Sequence, residues 1–466
     1  MTDASIGSLC RLTVRAPAKT VDLAVPSDVP VADLLPAILH YATEDRGESG
    51  LDHGGWVLQR LGGAPLGDDG TLGTLGLHDG DVVYLRPYTE ALPEVRLDDL
   101  VDGIANITRD RPHRWGPESS RRLLRTLLAA VVLAALAALV WPGGPASDRA
   151  ITAAVAGLLL LAGAASASRA VGDAATSATL GLLSAPALAL AGWLLPGGEI
   201  AGAQGYHVFG TRLLATGAAG AGAAVLALAL TAVASQLFLA VAVVGAAGAV
   251  SGVLMIALDT PVDGVAAIVS AFAVVVGGFV PSLSFKLAGM RMPLLPTTAQ
   301  QLQEDIEPYH GSDVAVRTEL AGEWMTALYG ATGVVVGACL VALLHRPSLP
   351  EALTADALIA LLLLHGRGMA NTWQRLTLVA PGASGALLAV VEAGRAASPG
   401  HRPLLVAGLL AVAAVLAVAT WTVPGRRMVP YWGRVAELLH TLLAVAVLPL
   451  VLWVTGVLAA IRGING

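Results

Sequence analysis

The sequence predicts a polytopic α-helical membrane protein of about 11 transmembrane helices with a small α+β cytosolic domain at its N-terminus. Three observations predict it. Apolar stretches of about 20 residues recur after Arg122, each long enough to cross a hydrocarbon core of about 30 Å. Charged residues make up only 13% of the 466, against roughly 25% in soluble domains, and the mean hydropathy is +0.70. Before Arg122, charges and turns alternate with short apolar runs. The chain therefore divides into a cytosolic domain over 1–90, a linker over 91–121 and a membrane domain over 122–466. The net charge of −6 says little about partners, because a membrane protein distributes its charge by side. Met1–Arg11 lacks an apolar core and runs into strand-like residues, so no secretory signal is read and the N-terminus is expected in the cytoplasm. Cys10 and Cys339 lie in different regions and are expected as buried small hydrophobes.

In the N-terminal domain, Cys10–Arg15 and Val21–Val25 alternate in period two across a Pro-Ala-Lys turn, which predicts a hairpin. Pro26–Pro30 supplies a turn and a cap. Val31, Leu34, Leu35, Ile38 and Leu39 then recur at helical spacing through Tyr41. A third strand fits Trp56–Leu61, ended by Gly62-Gly63. Finally, a Leu-rich turn through Leu72, Leu75 and Leu77 leads by Asp79-Gly80 into an apolar strand ending at Leu85. The order β-β-α-β-turn-β within about 80 residues resembles the ubiquitin-like β-grasp fold. Gly76 and Gly80 would permit the tight turns, and the three leucines would close the core over the helix. Such a head binds partners through its sheet face or edge, and nothing in it is arranged for catalysis.

The linker places Leu97, Leu100, Val101, Ile104 and Ile107 on one helical face and Asp98, Asp99 and Asp102 on the other. No second cluster completes a metal shell around the three acids, so a solvated helix face fits them better. Arg109, Arg111, Arg114, Trp115, Arg121, Arg122 and Arg125 follow. Basic residues interleaved with an aromatic can mark a nucleic-acid surface, but their place against a span marks a cytoplasmic membrane boundary, with no nucleic-acid partner.

The first six spans are read as Leu123–Trp141, Ile151–Ser168, Ala174–Leu195, Leu213–Ala234, Leu237–Leu258 and Val262–Pro281. Met325–Leu344, Ala352–His365, Leu376–Glu392, Leu404–Val423 and Val435–Ile461 complete the eleven. Leu213–Leu258 as one helix would measure about 69 Å, so a tight turn is placed at Ser235-Gln236. With the N-terminus inside, fifteen basic residues fall on the cytoplasmic side and six opposite, as the positive-inside rule requires. Fusing the fourth and fifth spans would reverse every later loop. The C-terminus then lies on the side opposite the N-terminus. Small-residue runs such as Gly217–Gly222 and Gly245–Gly248 predict close helix packing within the chain.

One cytoplasmic loop, 286–323, is long enough to be read as a docking element. It holds Pro293-Leu-Leu295-Pro296-Thr297-Thr298, then a helix with Leu302 and Ile306 on one face. Thr298–Gln301 approximates its capping box. The chemistry-bearing patterns are sparse. There is no Gly-x-x-x-x-Gly-Lys-Ser/Thr phosphate loop, and no His-x-x-x-His or Cys-x-x-Cys metal spacing. Gly382–Gly385 departs from a nucleophile elbow and fits helix packing. No cofactor, metal or catalytic residue is assigned. Glu437 and His440, at i and i+3 near the start of the last span, are ionisable groups at membrane depth. A packing hydrogen bond or interfacial solvation accounts for them, since a proton relay would need more members.

The head, the linker helix, the Trp115-Gly-Pro117 step and eleven spans interrupted by a Pro-x-x-Pro-Thr-Thr loop together resemble the EccD family, the membrane subunit of type VII (ESX) secretion systems. The matching motifs are Leu75-Gly-Leu77-x-Asp79-Gly80-Asp81, Leu97-Asp98-Asp99-x-x-Asp102 and Leu295-Pro-Thr297-Thr298. The resemblance covers essentially the whole chain. It implies a non-enzymatic scaffold that pairs with a second copy in the bacterial inner membrane around a lipid-lined vestibule. It also implies EccB-, EccC- and EccE-like partners, with the EccC-like subunit supplying ATPase activity, and small helical WxG-type substrates. Leu75, Leu77, Asp79, Asp98, Asp99, Asp102, Leu295, Thr297, Thr298, Leu302 and Ile306 are the candidate docking residues. The competing class is a secondary transporter with a regulatory head, which inverted repeats and charges at broken midplane helices would favour.

Overall fold

The alternation along Leu9–Arg15 buries Cys10, Leu12 and Val14 and turns Arg11 and Arg15 outward, so this strand (β1) presents one apolar face. In the computed structural model, which describes residues 9–17, 19–42, 55–90, 115–200, 205–290, 311–423 and 430–465, β1 pairs antiparallel with β2 (Thr20–Pro26) and parallel with β4 (Asp81–Pro87). β3 (Trp56–Gln59) pairs antiparallel with β4, giving the sheet order β2-β1-β4-β3. Helix α1 (Val31–Ala42) buries Val31, Leu34, Ile38 and Ala42, at steps of three and four. Its first-turn amides do not go unpaired. Val31 N donates to Gly70 O at 2.9 Å and Ala32 N to Asp68 O at 3.0 Å, meeting the requirement every helix start creates. These residues form one core with Leu58, Leu72, Leu77, Val83 and Leu85, the ubiquitin-like arrangement expected from the sequence.

The chain separates into two compact units, Met1–Gly116 and Pro117–Gly466. In the second, eleven helices among the described residues are long and apolar enough to cross a membrane. They are α2 (Pro117–Val140), α3 (Ala146–Ser166), α4 (Ala174–Leu194), α5 (Gly205–Thr231), α6 (Ser235–Ala257), α7 (Val262–Leu287), α8 (Gly311–Leu343), α9 (Leu349–Arg367), α10 (Thr372–Ala396), α11 (Arg402–Thr422) and α12 (Pro430–Val454). A short α13 (Val457–Asn465) follows. The body has two centres of packing. One gathers α7, α8, α9 and α10 with part of α12 around Val280, Tyr329, Leu340 and Leu358. The other joins α3, α5 and α6 at Leu161, Ala227 and Phe238. Helix α11 has no buried residue.

Three local features depart from the sequence reading. The break between the fourth and fifth spans lies at 232–234, not at Ser235-Gln236, which begin α6. Ala232 and Ala234 take φ of 53° and 49° there; alanine is small enough to hold this strained backbone, at about 1–3 kcal/mol each. The Ser168 hydroxyl donates to Thr231 O at 2.8 Å, pairing one carbonyl of the last turn of α5. Second, α8 begins at Gly311, so it takes up the end of the stretch read as loop. Its 33 residues rise about 50 Å, some 20 Å more than a bilayer core, and residues 311–319 are exposed. Third, α9 runs for 19 residues rather than from Ala352 to His365, because Leu349-Pro350 supplies a first turn.

Between α3 and α4, a single turn of π-helix (Ala167–Val171) ends at Gly172, whose φ of 74° allows the chain to reverse. Asp173 then caps α4, accepting from Ala175 N at 3.1 Å and Thr176 N at 3.0 Å. The Thr176 hydroxyl and these amides hold the Asp173 carboxyl below its usual pKa.

Candidate functional site

The Leu-Gly-Leu-x-Asp-Gly-Asp segment works first as an internal clamp. Leu77 is 6% exposed and Leu72 1%, while Leu75 is half-buried and packs over Gly70. A Cβ at Gly70 would lie 2.8 Å from Leu75 Cγ, so a larger residue there would push the Leu75 side chain aside. Asp79 is exposed, and its Oδ1 accepts from Arg11 N at 2.8 Å; Gly80 N donates to Arg11 O, also at 2.8 Å. These two bonds seat the turn on β1 just before the parallel β1–β4 ladder starts. Gly76 and Gly80 have φ of 65° and 90°, the left-handed backbone the sequence implied. Asp81 accepts from His78 N at 3.0 Å and from the Arg60 guanidinium at 2.6 Å, and Arg60 also donates to Gly76 O at 2.6 Å. The His78 amide, then Arg60, hold the Asp81 carboxyl below its ordinary pKa.

The face of the sheet opposite α1 is open and polar. The strand pairings put Thr13 beside Asp22 and Val82, and Arg15 beside Thr20 and Tyr84. Thr13 Oγ1 donates to Asp22 Oδ1 at 2.6 Å. The Arg15 guanidinium lies 5.9 Å from the Tyr84 ring centre, and the side of Arg86 adds a further positive charge to this face. Arg11, Arg15, Tyr84 and Arg86 were not singled out from the sequence. The signal was available, since they are the outward positions of the period-two alternation that identified the core. Of the other docking candidates, Asp98, Asp99, Asp102, Leu295, Thr297, Thr298, Leu302 and Ile306 lie outside the described residues.

The protruding start of α8 is tied to three neighbours. Arg317 donates to Gly289 O after α7 at 2.6 Å. Gln236, at the start of α6, donates to Glu323 Oε2 at 2.9 Å, and Gln374 of α10 to Gly322 O at 3.3 Å. A braced projection of this kind can present residues beyond the bilayer surface.

Inside the body, α5 and α6 touch backbone to backbone. A Cβ on Gly217 would fall 2.3 Å from Ala249 N, and one on Gly252 2.4 Å from Leu214 N. Gly245 is equally confined, with Ala221 N at 2.7 Å, whereas Gly222 faces open space. An apolar cavity of about 520 Å³ lies beside this seam, lined by Phe209, Val241, Val265, Val334 and Cys339. His440 belongs to a chain of polar groups. Its Nε2 lies 3.3 Å from His365 Nδ1, and His365 Nε2 lies 3.1 Å from the Tyr329 hydroxyl. Glu437 is exposed and outside this chain. His365 and Tyr329 were not singled out, because they sit on α9 and α8, 75 and 111 residues from His440 in sequence, and only packing joins them. Among the described residues, no group of three or more His, Cys, Asp or Glu is placed to hold a metal ion. Cys10 and Cys339 are buried and free.

Residues 120–464 match the EccD-like transmembrane domain, and residues 9–85 match YukD of the WXG100 protein secretion system. This chain belongs to the EccD family. Its two regions thus correspond to the two modules matched, the YukD-type head and the EccD membrane domain. The ESX-4 secretion system protein eccD4 of Mycobacterium tuberculosis (strain ATCC 25618 / H37Rv) is 30% identical to it over 98% of each chain. In fold, this EccD resembles a protomer of the ESX-3 core complex, with a TM-score of 0.57, 20% identity and coverage of 97% of this chain and 100% of that one. A chain of the MycP5-free ESX-5 inner membrane complex gives 0.58 and 21%, covering 90% and 100%.

Proposed function

We propose that this chain is a non-enzymatic scaffold and channel component of a type VII (ESX) secretion complex in the bacterial inner membrane. It pairs with a second copy in the bilayer and receives EccB-, EccC- and EccE-like subunits, with the EccC-like subunit supplying ATP hydrolysis. The ubiquitin-like head serves as the docking module, together with the segment 286–323 that leads into the projecting α8. The observation that carries the reading is the likeness to eccD4 across 98% of both chains, which spans head and membrane body in the same order. The head's open face supports it. Arg15 lies beside Tyr84 and Arg11 and Arg86 share the same sheet surface, which the core does not use, and aromatic and arginine side chains are those that anchor protein interfaces. The domain division is the one that separates these roles: head 1–90, linker 91–121 and membrane domain 122–466. Cytoplasmic placement of the N-terminus, with the C-terminus opposite, rests on the odd number of spans and on the basic residues that collect on one side.

The test is deletion of residues 1–90 in the full secretion system, followed by purification of the membrane complex. Loss of the FtsK-like ATPase subunit from the eluted assembly is the expected result. Retained assembly, with a measurable defect in uptake of a small solute, would overturn the scaffold and favour a transporter with a regulatory head.

A further inference from the structure

A groove at one end of the body contains an acid that the packing leaves alone. It lies between the α8–α9 turn, the start of α9 and the end of α10, and encloses about 870 Å³. Asp356 lines it, seven residues into α9, which puts it about 10 Å below the helix end. Among the described residues its carboxylate has neither an ion pair nor a hydrogen-bond partner. The neighbouring acid is accounted for differently: Glu392 binds Arg395 at 2.5 Å and its side chain is only 11% exposed. His345 and Arg346, on the turn, and Arg395, already paired with Glu392, line the same groove.

An ionised group facing hydrocarbon depth is costly and marks a functional surface unless something pairs with it. The walls say what kind of partner fits. Ala352, Ala389, Ala393 and Ala396 line the groove, and the last three follow at steps of four and three, so they form one stripe on α10. Small stripes let another helix backbone approach closely. The chain's own next helix is not that occupant, because α11 buries none of its residues. A lipid tail would fill the volume but bring no cation to Asp356.

We infer that this groove is the seat of a partner subunit's transmembrane helix bearing a lysine or arginine about two turns inside its end, paired with Asp356. The inference rests on the chain acting within a membrane complex, and goes beyond that reading by assigning a membrane-embedded contact and its chemistry.

The experiment places a photo-crosslinking residue at Leu353, exposed one turn before Asp356, in the full chain expressed with the complete secretion system. The complex is purified and the adduct sequenced by mass spectrometry. The expected adduct is a partner's transmembrane segment with a basic residue at the stated depth. Asp356→Lys should lower its yield at least tenfold, Asp356→Glu should keep it, and reversing the partner's basic residue to Asp should restore it in the Asp356→Lys background. An intact complex whose adduct contains only lipid, joins a second copy of this chain, or is indifferent to Asp356→Lys overturns the groove proposal and leaves the scaffold reading standing. Failure of the wild-type subunits to co-elute overturns both.

Discussion

The head closes its core with large side chains, while the α5–α6 seam of the membrane body closes by having almost none. Val14, Val83 and Leu85 are fully buried in the head and Ile38 and Leu58 nearly so, each contributing about 1.5–3 kcal/mol by leaving water. Along the seam, Gly217, Gly245 and Gly252 bring the main chains of α5 and α6 into contact. The solvent explains the contrast. Water drives apolar side chains together, so the head gains from bulk. Lipid tails are as apolar as leucine, so helices in a bilayer gain only from closeness of fit. The two regions should therefore respond oppositely to a change of side-chain size.

The largest expected effect comes from Gly217→Leu or Gly245→Leu. Overpacking commonly costs about 1–3 kcal/mol, and here the obstacle is backbone at 2.3–2.4 Å from the new Cβ of Gly217, so the cost should lie at or beyond the top of that range. Thermal unfolding and monodispersity of the detergent-solubilised full chain would read it. Gly222→Leu, on the same helix but facing open space, should leave both unchanged; equal damage from the two would break the comparison. Comparable in size, Leu85→Ala should destabilise the head by about 2–5 kcal/mol. Hydrogen exchange in the intact chain should show β1 and β4 amides exchanging faster, with α5 and α6 unaltered.

A smaller effect is expected from His365→Phe, which removes the link between Tyr329 and His440. Polar contacts between membrane helices average about 0.6 kcal/mol, so α12 should become more accessible to protease near Gly433 without loss of the fold. The smallest sharpens the head alone. The folded Asp81 carboxyl titrates below its unfolded value of about 3.9, because His78 N and Arg60 bind its charged form. Its stabilisation is thus complete above the unfolded pKa and disappears as pH falls through the folded one. Asp81→Asn should flatten the acid limb of a head-unfolding profile below about pH 4, its small loss of stability being present in full at neutral pH and vanishing in acid.

Much of this architecture could be read locally. The outward and inward positions of β1, the helical steps of Val31, Leu34 and Ile38, and the left-handed glycines of the Leu-rich turn follow from period and turn chemistry. The eleven spans follow from length and hydropathy. Less legible was the break before α6. Alanines are poor turn formers, so Ser235-Gln236 carried the stronger local signal although Ala232 and Ala234 take the strain. Asp356 was not singled out from the sequence, because nothing in the eighth span by itself shows that packing leaves its carboxylate without a partner. The acidic face of the linker and the Leu295–Ile306 segment remain expectations of the sequence, as they lie outside the described residues.

By itself the sequence determined which segments live in water and which in lipid, since that choice depends on composition summed over about 20 residues. It also determined the head's strand order of appearance. Tertiary structure alone decided which small residues meet, which polar groups pair and which stay unpaired. Tyr329, His365 and His440 become a chain, and Asp356 is left without one, because helices in lipid pack by shape, and shape complementarity between segments tens of residues apart has no signature in either segment alone.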